Sequence, residues 1–158
     1  MILAIDPGTT ESAYCLIDDD YKPIEFGKVE NEGFLFELKH ELLFNKIVIE
    51  MVASYGMPVG REVFETCVWI GRFQQRTLDS SVTKVNLMYR KDVKMNLCNT
   101  TKAKDSNIIQ ALIDRFAYGV PNRGKGYKKS PGYFYGFKAD IWQAYALGVA
   151  YLDKKEEV

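Results

Sequence analysis

Three acidic residues stand where acids are expensive. Asp6 closes the apolar run Ile2-Leu3-Ala4-Ile5. Glu50 interrupts Ile47-Val48-Ile49-Glu50-Met51-Val52, and Asp140 precedes Ile141-Trp142-Gln143-Ala144. An ionised carboxylate in an apolar strand is costly unless it is paired or bound to a metal. If the two strands are neighbours, Asp6 and Glu50 share one edge of a sheet. A last helix packed on that sheet then brings Asp140 to them. Such an all-oxygen set suits Mg²⁺ or Mn²⁺. Two such ions about 4 Å apart clamp the attacking and leaving oxygens of a phosphodiester. Each acid also has a plainer role open to it: Asp6 can cap the Pro7-Gly8 turn, and Asp140 can cap a helix. Softer metal chemistry is excluded. One histidine, His40, and three cysteines without CxxC spacing, Cys15, Cys67 and Cys98, cannot build a zinc site.

Charge supplies the second clue. The 158 residues carry 21 basic and 21 acidic side chains, a net charge of zero. The two signs are segregated: residues 1–50 hold 11 acids and 4 bases, residues 100–138 hold 8 bases and 2 acids. Such asymmetry points to a polyanion-binding face. Lys102, Lys104, Arg123, Lys125, Lys128, Lys129 and Lys138 form the basic stretch, with Tyr127, Tyr133, Phe134, Tyr135 and Phe137 interleaved. Cations neutralise phosphates and rings stack on unpaired bases, so the pattern reads as a nucleic-acid surface. The competing reading is a solvated loop with its aromatics packed beneath. No base-reading code is visible.

The elements that must position these residues emerge from periodicity and turn chemistry. Strands are predicted at Ile2–Asp6, Ser12–Ile17, Ile24–Glu30, Lys46–Val52 and Thr83–Tyr89. Asp18-Asp19-Asp20 reads as a hairpin turn, and Asn31-Glu32-Gly33 as a break. Helices are predicted at Phe34–Phe44, Arg61–Leu78, Lys102–Phe116 and Asp140–Asp153. The second of these should place Phe64, Val68 and Ile70 on one side, while Trp69 and Phe73, four apart, form either an exposed stripe or ordinary core packing. Arg90–Asn99 reads as a polar connection. Tyr118–Lys138 reads as a long, flexible, glycine-containing loop. Three consecutive strands favour an antiparallel meander, and later strands separated by helices favour parallel additions. The expected fold is α/β: a mixed five-stranded sheet of three antiparallel plus two parallel strands, with helices on both faces, in one domain over residues 1–158.

These residues carry a family resemblance. Ile2-Leu3-Ala4-Ile5-Asp6-Pro7-Gly8-Thr9 resembles the opening of RuvC-type Holliday junction resolvases, which have the RNase H-like, or retroviral-integrase, fold. Ile49-Glu50 resembles the second acid of that family. Arg90-Lys91-Asp92-Val93-Lys94 resembles its lysine-bearing segment, and Lys138 to Leu147 its C-terminal acidic helix. The tail from Lys102 onward is most similar to phage-borne members. The resemblance implies a homodimeric endonuclease that nicks four-way DNA junctions in pairs, using Mg²⁺, with Mn²⁺ as a substitute, at two ions per subunit. It implies Asp6, Glu50 and Asp140 as metal ligands and Lys94 beside the scissile phosphate. Lys104 matches a second family lysine across a one-residue gap. The helix at 61–78 corresponds to the dimer interface.

Two departures stand out. Where the family has a fourth acid or a histidine, one turn after the third acid, this chain has Gln143. Its amide oxygen can ligate Mg²⁺ but brings no charge. Asp105 is the nearest spare acid, with a favourable place in the first turn of a helix as its simpler role. Where the family often has a base-stacking phenylalanine, this chain has Ala53, and Tyr55 is the candidate ring in the same loop.

Other classes compete with this one. The composition excludes a disordered tail protein, a collagen-like chain and a disulfide scaffold. No membrane span or signal peptide is expected, and sparse cysteine suits the cytoplasm. Asp6-Pro7-Gly8-Thr9-Thr10 also resembles the phosphate loop of actin-like ATPases, which need a second domain for which this chain is short. An RNase H-type nuclease acting on RNA–DNA hybrids would use the same acids. A junction-binding protein that does not cleave is the alternative outside the enzymes.

Overall fold

The computed structural model describes residues 1–38, 44–79 and 84–156. The expectations for His40, Leu42 and Thr83 lie outside the described residues.

The N-terminal apolar run forms strand β1 (Ile2–Asp6). A turn rich in small residues leads to β2 (Glu11–Ile17), and the Asp18 turn leads to β3 (Pro23–Glu30). Asp18 holds that turn with its own side chain, which accepts from the backbone N–H of Asp20 and Lys22. Helix α1 (Asn31–Glu37) crosses to β4 (Lys46–Met51), and α2 (Arg61–Leu78) crosses to β5 (Lys84–Tyr89). Helices α3 (Arg90–Cys98) and α4 (Asp105–Phe116) come next. A small hairpin, β6 (Gly126–Tyr127) and β7 (Ser130–Pro131), precedes the last helix, α5 (Ile141–Glu156).

The sheet order is β3-β2-β1-β4-β5, antiparallel at β3-β2-β1 and parallel at β1-β4-β5. The mixed sheet expected from the sequence is therefore present. Side chains alternate across it. Ile2, Ala4 and Val48 join one core with α3, α4 and α5. Leu3, Ile5, Ile47 and Ile49 join the other with α1 and α2. The same alternation puts Asp6 and Glu50 on the α5 face, each two residues beyond a core position. Gly148 lets α5 approach closely, because a methyl group there would collide with Ile17. Among the described residues no helix is long and apolar enough to cross a membrane.

Four helix readings need correction. Arg90–Cys98 is a helix, not a polar connection. Val93 and Leu97 lie four residues apart and pack into the α5 core, and Asn99 ends the helix in the left-handed conformation at φ 56°. Asn31-Glu32-Gly33 begins α1 rather than breaking the chain, because buried Asn31 is fastened to the turn after β1. Helix α4 begins at Asp105, not Lys102, and the Asn107 side chain accepts from the Lys104 N–H at 2.9 Å to fix that start. On α2, Phe73 and Ile70 are buried, whereas Phe64 and Val68 are exposed. The exposed stripe is therefore Phe64–Val68.

Candidate metal and nucleic-acid site

Asp6 owes its position to the turn that leaves β1. Gly8 donates its N–H to Ser12 Oγ at 3.2 Å, and Ser12 donates to Asn31 Oδ1 at 2.6 Å. Asn31 returns its Nδ2 hydrogen to the Gly8 carbonyl at 2.9 Å. A side chain at Gly8 would overlap the Glu11 carbonyl, so the turn requires glycine. This buried three-residue clasp fixes the end of β1. Sequence reasoning missed Ser12 and Asn31. Ser12, four residues after Gly8, was the available signal, whereas Asn31 lies 23 residues from Gly8 and reaches the turn only through the fold.

Ile5 pairs with Ile49 in the parallel β1–β4 ladder, so Asp6 and Glu50 leave the sheet side by side. Burial is the largest influence on the Asp6 carboxyl, ahead of the charges of Glu50 and Asp140. Together they push it up to about 8, against a smaller opposing pull from Arg90. Burial also raises Glu50 above the usual carboxylate range, although Arg90 and Lys94 favour its charged form. A cation beside two such carboxylates would relieve their mutual repulsion.

Two side chains supply part of that positive charge, and sequence reasoning gave neither this part. Arg90, the first residue of α3, reaches Glu50 Oε2 with Nη1 at 3.4 Å and bonds Asp105 Oδ1 with Nη2. Burial works against its charge, yet Glu50 and Asp105 hold its pKa above the usual value. Lys28 donates to Asp140 Oδ2 at 2.7 Å. Ala13 explains that contact: it pairs with Asp6 on one side and with Lys28 on the other, so Lys28 stands two strands from Asp6 at the same level. Asp140 precedes α5, and its carbonyl accepts from the N–H groups of Gln143 and Ala144. Its side chain serves Lys28 rather than capping the helix. Asp105 is a neighbour of the site as well as a first-turn acid, since its charge bears on both Asp6 and Glu50.

The donor chemistry fits a hard divalent cation. Asp6, Glu50 and Asp140 supply carboxylate oxygens. Gln143 is buried with its Oε1 lacking any hydrogen-bond partner, the condition of an acceptor awaiting one. The set is not a ready-made cage. Among the described residues no three acid, cysteine or histidine side chains stand at metal-holding spacing. Asp140 is turned onto Lys28 and Glu50 onto Arg90, so an ion would have to displace these cations.

Lys94, on α3, lines an open cleft of about 340 Å³ with Tyr55, Lys91 and Thr101. Tyr55 is exposed, left-handed at φ 50°, and has Lys91 Nζ 5.8 Å from its ring centre. Lys102 and Lys104 are exposed just before α4. Arg123, Lys128, Lys129 and Lys138 are exposed and Lys125 half-buried along the segment leading to α5. The carboxylates therefore share one end of the sheet with Lys94. The bases from Arg123 to Lys129 lie on and beside the β6–β7 hairpin, and Lys138 lies two residues before Asp140.

No protein-family model and no curated protein matches this sequence. Solved structures do match. A Thermus thermophilus RuvC structure aligns with TM-score 0.69 at 12% identity, covering 99% of this chain and 96% of that chain. T. thermophilus RuvC in complex with a Holliday junction substrate aligns with TM-score 0.69 at 13% identity, covering 99% and 94%. The fold is thus the RNase H-like fold of RuvC. The phage-like affinity rests on the sequence resemblance alone.

Proposed function

We propose that this chain is a divalent-metal-dependent endonuclease that cuts branched DNA, with the four-way junction as its main substrate. One observation carries the reading. Two strand-end carboxylates lie side by side, with Asp6 pushed up to about 8, on the fold of a protein whose solved complex holds a Holliday junction.

Asp6, Glu50 and Asp140 would hold the metal, with Gln143 Oε1 as a neutral fourth donor. When bound, divalent ions stabilise charge developing on a phosphodiester and acidify an attacking water. The protein's own residues do the rest. The Gly8-Ser12-Asn31 clasp keeps the Asp6 carboxylate from swinging away. Arg90 and Lys28 hold Glu50 and Asp140 until the site is loaded. Lys94 meets the phosphate being cut, and Tyr55 offers a ring to an unpaired base beside it. Lys102, Lys104 and Lys138 neutralise neighbouring phosphates.

Paired nicks require two protomers. The exposed Phe64–Val68 stripe on α2 supports a homodimer through that helix. The phage-like pattern goes with action in a bacterial cytoplasm. A second reading, binding without cleavage, draws on Gln143 and on the two cations already paired with the acids.

The test is a labelled four-way junction and an RNA–DNA hybrid, each incubated in Mg²⁺ and in EDTA. Metal-dependent nicking of the junction supports the proposal. Tight binding in both conditions without cleavage supports the second reading. Preferential cutting of the hybrid would make the chain an RNase H-type enzyme.

A further inference from the structure

The segment between α4 and α5 is built differently from the flexible loop expected of it. Its strands pair Gly126 with Pro131 and Tyr127 with Ser130, which leaves Lys128-Lys129 as a two-residue turn. The base is knitted. Gly132 N–H donates to the Lys125 carbonyl at 2.7 Å, Phe134 N–H to Gly124 at 3.0 Å, and Gly126 N–H to Pro121 at 3.0 Å. Gly126 and Gly132 sit so close to facing backbone that neither admits a side chain. Phe134 and Phe137 anchor the segment in the core. The two lysines are therefore exposed on a fixed support, and the entropy of ordering that support is already lost in folding.

Their charge is unanswered. No acidic residue lies between Asp114 and Asp140. Arg115 pairs with Asp153, but among the described residues Arg123, Lys125, Lys128, Lys129 and Lys138 have no acidic partner. Unpaired cations on a rigid turn suit a polyanion whose charges are also regularly spaced.

The base of the hairpin is seated between the end of α4 and the start of α5. The position of Gly124 packs against Ala117, the residue after α4, and against Phe134. The Phe134 ring centre lies 4.8 Å from that of Trp142, two residues after Asp140. The two lysines therefore sit on the segment that leads into the carboxylate site and are not among its donors.

We infer that the β6–β7 hairpin is a second backbone contact for nucleic acid, engaging phosphates other than the one that is cut. It adds affinity and takes no part in the chemistry. This rests on the nuclease reading above.

The experiment compares the wild-type protein with a Lys128→Ala, Lys129→Ala double variant on the junction in Mg²⁺. Loss of up to two phosphate contacts should flatten the slope of log affinity against log salt by up to about 2 and raise KM about tenfold at physiological salt. The kcat should stay within about twofold. Junctions bearing neutral methylphosphonate linkages, moved one position at a time away from the nick, should reproduce the loss at one position, and the double variant should add nothing there. A variant with wild-type KM and salt slope overturns the hairpin contact while leaving cleavage by the wild type intact. A fall in kcat at unchanged KM overturns it too. Wild-type protein that neither binds nor cuts the junction overturns the nuclease reading as well.

Discussion

In the proposed role, Asp6 is the residue on which stability and activity pull in opposite directions. An exposed aspartate in the unfolded chain loses its proton near pH 3.8, whereas the folded carboxyl holds it up to about 8. Between those values the native state binds the proton more tightly than the unfolded one, so this group costs stability as pH rises, and the cost is complete above pH 8. Asp6→Asn removes that cost. The variant should unfold later than wild type in EDTA at pH 8, by on the order of a few kcal/mol, with the difference shrinking toward pH 4. It should keep junction binding and lose cleavage. Chemical denaturation across pH, run beside a nicking assay, checks both halves. Gln143 gives the complementary case. Gln143→Asp places another acid in a buried position and should lower the melting temperature in EDTA. Mg²⁺ should restore it, and nicking at low Mg²⁺ should hold or improve. A melting temperature unmoved by Mg²⁺ would take Gln143 out of the metal site.

At the scale of elements, the site is an agreement between strands, and helices lock it. Arg90 ties the start of α3 to β4 and to the start of α4 through Glu50 and Asp105. Arg90→Met leaves Glu50 uncompensated and should cost about 1–3 kcal/mol in urea unfolding without metal. Arg90→Lys should recover part of it. At the other end, Arg115 and Tyr21 bond Asp153 of α5. Burial opposes the Asp153 charge, but those bonds outweigh it and hold the carboxyl below its usual pKa. That contribution is present above pH 3.8 and is lost as pH falls through the lower folded value. Asp153→Asn should therefore destabilise at pH 7, by on the order of 1 kcal/mol or less, and make no difference in strong acid.

These elements also mark what the sequence made legible. Strands β1, β4 and β5 are short apolar runs bounded by turns, and α2 has a long period, so their limits emerge within about a residue. Asp6 and Glu50 are visible because an acid in such a run is anomalous. Helix α3 hides because one buried residue, Val93, and one neighbour, Leu97, make too short a pattern. Arg90 and Lys28 hide because their partners are set by register between strands far apart in the chain. The knitted hairpin hides because its glycines, which read as flexibility, serve close backbone packing.

At the scale of the molecule, charge and apolar surface divide the labour. Asp6, Glu50 and Asp140, with Asp105 beside them, meet at one end of the sheet, and a run of cations without acidic partners lies between α4 and α5. The helix on the opposite sheet face, α2, presents Phe64 and Val68 to solvent. If α2 joins two protomers, Phe64→Glu should shift sedimentation from dimer to monomer. It should also turn paired nicks into single, uncoordinated ones, because the carboxylates lie on the other face. The decisive experiment is incubation of a synthetic four-way junction, labelled on each strand in turn, with the wild-type protein in Mg²⁺ and in EDTA. We expect nicks in Mg²⁺ alone, at matching positions on opposite strands. A junction left intact in Mg²⁺, or cut equally in EDTA, would refute metal-dependent junction cleavage by this chain.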